Sequence, residues 1–317
     1  MNRSHFTPYV DVSVNANWSD PAYPAGKPNP DYVDNVIIWG AGGLTLAFIT
    51  NATEDTYSPC WASQPTMLLD WAKPMAHQLK EANKRVVVSF GGAAGWDVSY
   101  PDATTVDDLV STYSLVINGY HADGLDFDLE NGLYDVSKIV SALQVIQNNF
   151  PSVQLSITLP TLATGLTGAG LGIVQAMAEG GLSFVINGMA MDYYNPEMDE
   201  DMGASAMAAA LKIAEQLAEY FPNYTEEQRL GMTALTPMIG LNDDTAASFT
   251  LTHARDVGAF ARMKGLFSLS FWDLNRDNPS SFSYTDNQSS SYNPTTGEAN
   301  QTESGQYTMA FSTGIGE

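Results

Sequence analysis

Four acidic residues fall within eight positions of this chain, Asp123, Asp126, Asp128 and Glu130, in the run DGLDFDLE. Apolar residues alternate with the last three, so the stretch reads as a β-strand. On a strand, side chains two apart share a face, about 6.6 Å from one another. Asp126, Asp128 and Glu130 then form a row on one face. Leu125, Phe127 and Leu129 turn to the other face, where helices can cover them. A row of buried carboxylates is costly, because burial disfavours charge and each ionised neighbour disfavours the next. At least one should keep its proton near neutral pH. A carboxylic acid protonated in this way is what general-acid cleavage of a glycosidic bond requires. A hard-cation site or a solvated edge strand would use the same residue types.

The elements that must carry this row alternate along the whole chain. Strand-like runs fall at 6–14, 44–49, 85–90, 124–129, 154–159, 184–192, 231–235 and 266–272. Several are apolar on both faces, as in a buried parallel sheet. Helical patterns lie between them, at 29–39, 67–82 with a kink expected at Pro74, 105–120, 135–150, 168–179, 201–220 and 249–264. Thr105 followed by Asp108 matches a capping box. Eight strand–helix repeats in 317 residues predict an α/β fold, a single-domain (β/α)8 TIM barrel spanning 1–317. No phosphate-binding glycine loop follows the first strand, which argues against a doubly wound sheet. Residues 278–306 are rich in Ser, Asn, Thr, Gln and Gly and read as a long surface loop or a loosely held segment. Met309, Ala310 and Phe311 suggest the tail of a final short helix. Glu130, last in its row, falls at the carboxyl end of its strand, where barrel enzymes place their active sites.

Composition limits the partners. The chain carries 36 Asp and Glu against 13 Lys and Arg, a net charge of −23, the wrong sign for binding nucleic acid or an anionic membrane. No apolar run reaches membrane-spanning length. The lone Cys60 permits no internal disulfide and reads as a small buried residue, and Asp123 as structural. The four scattered histidines offer no transition-metal spacing. No metal and no cofactor are expected, and a monomer is.

The acid row resembles the DGxDxDxE signature of glycoside hydrolase family 18, the chitinases and their relatives. Further segments resemble that family in order: Ser89-Phe90-Gly91-Gly92 on the third strand, Met189-Ala190-Met191-Asp192-Tyr193 on the sixth, and Ser270-Phe271-Trp272 on the eighth. The segments around Tyr9 and Met238 look like those of bacterial members. The resemblance covers about positions 6 to 277. It implies an endo-acting chitinase for β-1,4-linked N-acetylglucosamine, secreted, with Met1 a start placed after a removed export signal. It also implies a retaining mechanism in which the sugar's own 2-acetamido oxygen closes onto the anomeric carbon. In that scheme Glu130 is acid and then base, Asp128 bonds the acetamido N–H, Asp126 shares a proton with Asp128, and Tyr193 or Asp192 holds the acetamido group, Tyr193 being favoured. Trp272 floors the cleavage subsite, and Ser89, Tyr9, Met191, Met238 and Trp96 complete the substrate contacts.

Trp18, Trp61, Tyr134 and Tyr194 also fall in or near loops after strands, where an aromatic either lines an outer subsite or simply packs. Only about 30 residues separate strands seven and eight, too few for the α+β insertion of deep-cleft relatives, so an open cleft is expected. An endo-β-N-acetylglucosaminidase acting on N-glycans would share fold and mechanism. A non-catalytic lectin would typically lack the glutamate.

Overall fold

The computed structural model describes residues 4–316; Met1 lies outside the described residues. Eight parallel strands alternate with eight main helices. Strand β1 comes in two halves, His5–Phe6 and Tyr9–Asp11, followed by α1 (Asp31–Trp39), β2 (Gly43–Asn51), α2 (Lys73–Glu81), β3 (Arg85–Gly91), α3 (Val106–Tyr120), β4 (Gly124–Asp128) and α4 (Val136–Asn149). The second half comprises β5 (Gln154–Leu162), α5 (Gly168–Glu179), β6 (Val185–Ala190), α6 (Met202–Tyr220), β7 (Thr233–Pro237), α7 (Leu251–Lys264), β8 (Ser268–Leu269) and α8 (Gln306–Ile315).

Each strand pairs in parallel with its predecessor, from β2 with the second half of β1 round to β8 with the first half of β1. The break at Thr7-Pro8 arises where Pro8 lacks an N–H. The stretch stays bonded on both sides: Tyr9 N–H donates to Phe271 O (3.1 Å) and Thr45 N–H to Pro8 O (2.9 Å). The sheet therefore closes into the expected (β/α)8 barrel.

The apolar core lies mostly between strands and helices. Phe127 of β4 stacks on Phe90 of β3 (centroids 5.5 Å apart), and both meet Tyr113 of α3 edge-on. The capping box at Thr105 and Asp108 opens α3. Asp123, at the foot of β4, accepts from Lys80 of α2 (2.9 Å) and from Val86 N–H (2.8 Å), the structural role its position suggests.

Two expectations are corrected. Helix α2 begins at Lys73 rather than 67, because Pro74 occupies its first turn, where a missing N–H costs nothing, instead of kinking its interior. Residues 278–306 form the loop-rich segment expected, but of its two readings the loosely held one fails. Ser289, Ser290, Ser291 and Gln301 are buried, Leu241 N–H donates to Ser290 O (2.9 Å), and Gln301 donates to the buried Asp277 (2.9 Å). A polar composition conceals this anchoring because hydrogen bonds, not apolar contacts, make it. The final helix runs a full ten residues. After β7, only a small hairpin, Gly240–Leu241 with Ser248–Phe249, precedes α7, so no α+β insertion stands there.

Candidate active site

The barrel interior is polar, and its centre is Asp126. Both oxygens of this buried carboxylate are filled by hydroxyls: Tyr9 (2.8 Å) and Ser89 (2.6 Å) on one, Ser156 (2.6 Å) and Thr158 (2.8 Å) on the other. Asn187 extends the network, donating to Thr158 (2.9 Å) and accepting from Thr236 (2.9 Å). Strand register produces this arrangement, since Ser89 and Ser156 lie directly across from Asp126 on the flanking strands. Burial pushes the Asp126 carboxyl up and the four hydroxyls pull it back. Four hydroxyls thus occupy the Asp126 lone pairs. Among the described residues no group of three or more acidic, His or Cys side chains is arranged as metal ligands.

Asp128, one step up the same face, is buried, with Oδ1 lacking any protein partner. Burial, then the charges of Glu130 and Asp126, hold its carboxyl well above the ordinary range. Glu130 follows at the rim and is also raised, by burial first and by Asp192. Each of the two carboxyls therefore raises the cost of ionising the other, and the pair as a whole holds a proton more readily than an isolated carboxyl would.

These two acids line a pocket of about 150 Å³ at the carboxyl ends of the strands, with Tyr9, Phe48, Met189, Met191, Asp192, Met238, Asp243 and Trp272. Trp272 forms its apolar side and stacks on Phe48 (5.6 Å between centroids, 20° between planes). A second groove, about 200 Å³, adjoins it along Pro160, Leu162, Thr167, Met189, Met191 and Asp192. Glu130 lines both. Gly91 brings β3 against the strand carrying these acids: at φ +93°, a Cβ there would lie 2.2 Å from the Asp128 carbonyl oxygen.

Several substrate contacts are corrected. Ser89 is fully buried and touches Asp126 rather than the pocket. Tyr193 is also buried, packed into the core with its hydroxyl unpartnered, and Asp192 faces the pocket instead. Strand β6 stops at Ala190, and the chain turns through positive φ at Asp192 (51°). Asp192 is held by the N–H groups of Asp243 (2.7 Å) and Asp244 (3.2 Å). Burial and Asp243 raise its carboxyl to about 6. Trp96 does not line the pocket; its backbone bridges Asn51. Trp61 is a fully buried core residue, its Nε1–H donating to Tyr120 (2.9 Å). Cys60 is buried, its thiol pushed up to about 11. Phe48 and Asp243 escaped sequence reasoning, as did Thr158 and Asn187 of the interior, while Met189 and Thr236 fell inside segments that resemble the family without being assigned a contact. The visible signal was polar residues on the inward parity of apolar strands, as at Ser156 and Thr158.

No family model matches the sequence. Active domain 2 of a chitinase from Pyrococcus furiosus matches with TM-score 0.81 and 30% identity, covering 98% of this chain and 94% of that one. A probable bifunctional chitinase/lysozyme of Escherichia coli strain K12 is 29% identical over 290 residues, 86% of this chain but 31% of that protein. Endochitinase 11 of Metarhizium anisopliae is 28% identical over 291 residues, 86% of this chain and 52% of that one. The chain thus spans about a third and about half of these curated relatives. A family 18 chitinase from the fern Peteris ryukyuensis, 15% identical with TM-score 0.51, shares the fold. With the acid row seated in its pocket and a 30% identical relative matched along nearly all of both chains, this chain belongs to glycoside hydrolase family 18, the family of those chitinases.

Proposed function

We propose that the protein is an endo-acting chitinase that cleaves β-1,4-linked N-acetylglucosamine with retention, through an oxazolinium formed by the substrate. One observation carries this reading: Glu130 stands on the wall shared by two adjoining pockets, the position from which an acid reaches an oxygen linking two sugars. In the pocket floored by Trp272, the sugar presents its C–H face to the indole and its acetamido group to Asp128. The unpartnered Asp128 oxygen accepts the acetamido N–H. That bond favours the ionised form of Asp128 and leaves the pair's proton on Glu130. Glu130 then protonates the glycosidic oxygen as the C1–O bond breaks. The acetamido oxygen bonds to C1, and the Asp128 carboxylate stabilises the resulting positive charge. The leaving chain departs through the second groove. Water attacks C1, passes its proton to Glu130, and reopens the ring closure with the original anomeric configuration. Asp126, fixed by four hydroxyls, supplies a neighbouring charge that keeps a proton on the Asp128–Glu130 pair. Asp192 contacts the sugar from the opposite side. The absence of an insertion after β7 supports an open cleft and internal cleavage. An insoluble polymer as substrate also implies an exported enzyme.

The test is hydrolysis of a chitin tetramer followed by proton NMR from the first seconds. The β-anomer should appear first, and cellotetraose, which lacks the acetamido group, should not be cleaved. Initial release of the α-anomer, or comparable cleavage of cellotetraose, would overturn the substrate-assisted route. Faster release from a high-mannose glycoprotein than from the tetramer would overturn the choice of substrate.

A further inference from the structure

We propose that the hairpin at 17–27 is a second sugar-binding platform, which stacks a pyranose ring of the polymer on Trp18 outside the catalytic cleft. Trp18 is 59% exposed, and Leu68, 60% exposed, lines a groove together with the Gly26 and Trp71 that the Trp18 ring packs on. An exposed indole that adjoins an apolar groove is a candidate ligand surface. The Trp18 ring is nonetheless held in place. It lies over Gly26, where a Cβ would stand 2.4 Å from the ring and φ is +75°, so a larger residue would displace it. Its inner side packs on the buried Trp71, with centroids 6.2 Å apart, and Trp71 Nε1–H donates to Ala25 O (2.8 Å). Asn17 and Lys27 exchange backbone hydrogen bonds of 2.8 and 3.1 Å across the base of the hairpin. Lys27 also pairs with Asp20 (2.6 Å) and lies 4.3 Å from the centre of the Tyr23 ring. An aromatic face fixed before binding loses little entropy on association.

The surroundings suit a sugar. A groove of about 220 Å³ runs beside the platform, lined by Tyr23, Thr66, Leu68, Asp70 and Trp71 among others. Apolar rings lie next to a hydroxyl and a carboxylate, matching the C–H faces and hydroxyl edges of a pyranose. Asp20 and Asp70, with the net charge of −23, oppose an anionic ligand and a second copy of the chain alike. The hairpin follows β1 and the other wall follows β2, the strands whose Tyr9 and Phe48 line the catalytic pocket. Platform and cleft therefore share one rim of the barrel, so one long chain of substrate can meet both. The choice of ligand rests on the chitinase reading, since it is the same polymer.

The test compares wild type with Trp18→Ala and Trp18→Phe for cosedimentation with insoluble chitin and for cleavage of a soluble tetramer. Trp18→Ala should weaken binding to the polymer by about fivefold to tenfold, the worth of one good aromatic contact, and slow its degradation. Trp18→Phe should recover most of the binding, and cleavage of the tetramer should stay within twofold of wild type. Unchanged polymer binding by a folded Trp18→Ala variant would overturn the platform, as would a change in sedimentation coefficient, which would mean Trp18 mediates self-association. The binding measurement needs no turnover, so failure of the catalytic reading would show in the wild-type tetramer assay alone.

Discussion

Replacing Gly91 by alanine should damage catalysis from a position that touches no substrate. At this residue φ is +93°, and an added Cβ would stand 2.2 Å from the carbonyl oxygen of Asp128, where real contacts do not fall below 3.0 Å. The obstacle is backbone, so it cannot swing aside. Strands β3 and β4 must part by roughly 1 Å, or Asp128 must move. The strained dihedral costs about 1–2 kcal/mol and the steric conflict about 1–3 kcal/mol more. A misplacement of this size at a catalytic group costs about 100-fold in rate. Gly265 is the control. It too has positive φ (68°), but nothing lies within 4 Å of where its Cβ would stand, and it caps α7 away from the pocket. Gly265→Ala should lose about 1 kcal/mol of stability with no change in kcat/KM. Thermal unfolding and kcat/KM on a soluble chitin tetramer would be measured for both variants. A folded Gly91→Ala variant with wild-type kcat/KM would refute the idea that the glycine sets the height of the acid row.

Two further expectations concern charge. The Asp192 carboxylate is one reason, after burial, that Glu130 is held above its ordinary range, so Asp192→Asn should let Glu130 ionise more readily and move the alkaline limb of the kcat/KM profile to lower pH; a limb that stays or moves upward would contradict the placement of Asp192. Asp273 is buried and raised to about 8, against about 3.9 in an unfolded chain. Its contribution to stability is full below about pH 4 and is lost as pH rises through about 8, on the order of a few kcal/mol. Denaturant unfolding from about pH 5 to 9 should show that decline, and a folded Asp273→Asn variant should show less of it; equal slopes in both proteins would contradict it.

Much of this was legible in sequence because the barrel obeys period two. Alternation in β4 set Asp126 and Asp128 on the inner face and sent Phe127 outward to Tyr113, and Glu130, two residues past the end of β4, stays on the side of the pocket. Legibility failed where period two ended. Asp192 and Tyr193 lie past the last residue of β6, where the backbone turns through positive φ at Asp192; Asp192 lines the pocket and Tyr193 is buried. It failed also where identity did not reveal depth. Ser89, inside β3, spends its hydroxyl on Asp126, while Trp272, three residues past β8, lines the pocket. Phe48 and Met189 look like core residues among the apolar strand positions, and only barrel closure turns them toward the cleft. The anchoring of 278–306 depends on partners such as Leu241 and Asp277 that no local pattern announces.

Everything turns on Glu130 as the residue that delivers the proton. Glu130→Gln removes the transferable proton and keeps the shape. Single-turnover rates on a chitin tetramer, taken together with the tetramer's Kd, should show cleavage reduced by about 100-fold to 10,000-fold with binding close to wild type. Cleavage within about tenfold of wild type would contradict this assignment and move the acid to another residue.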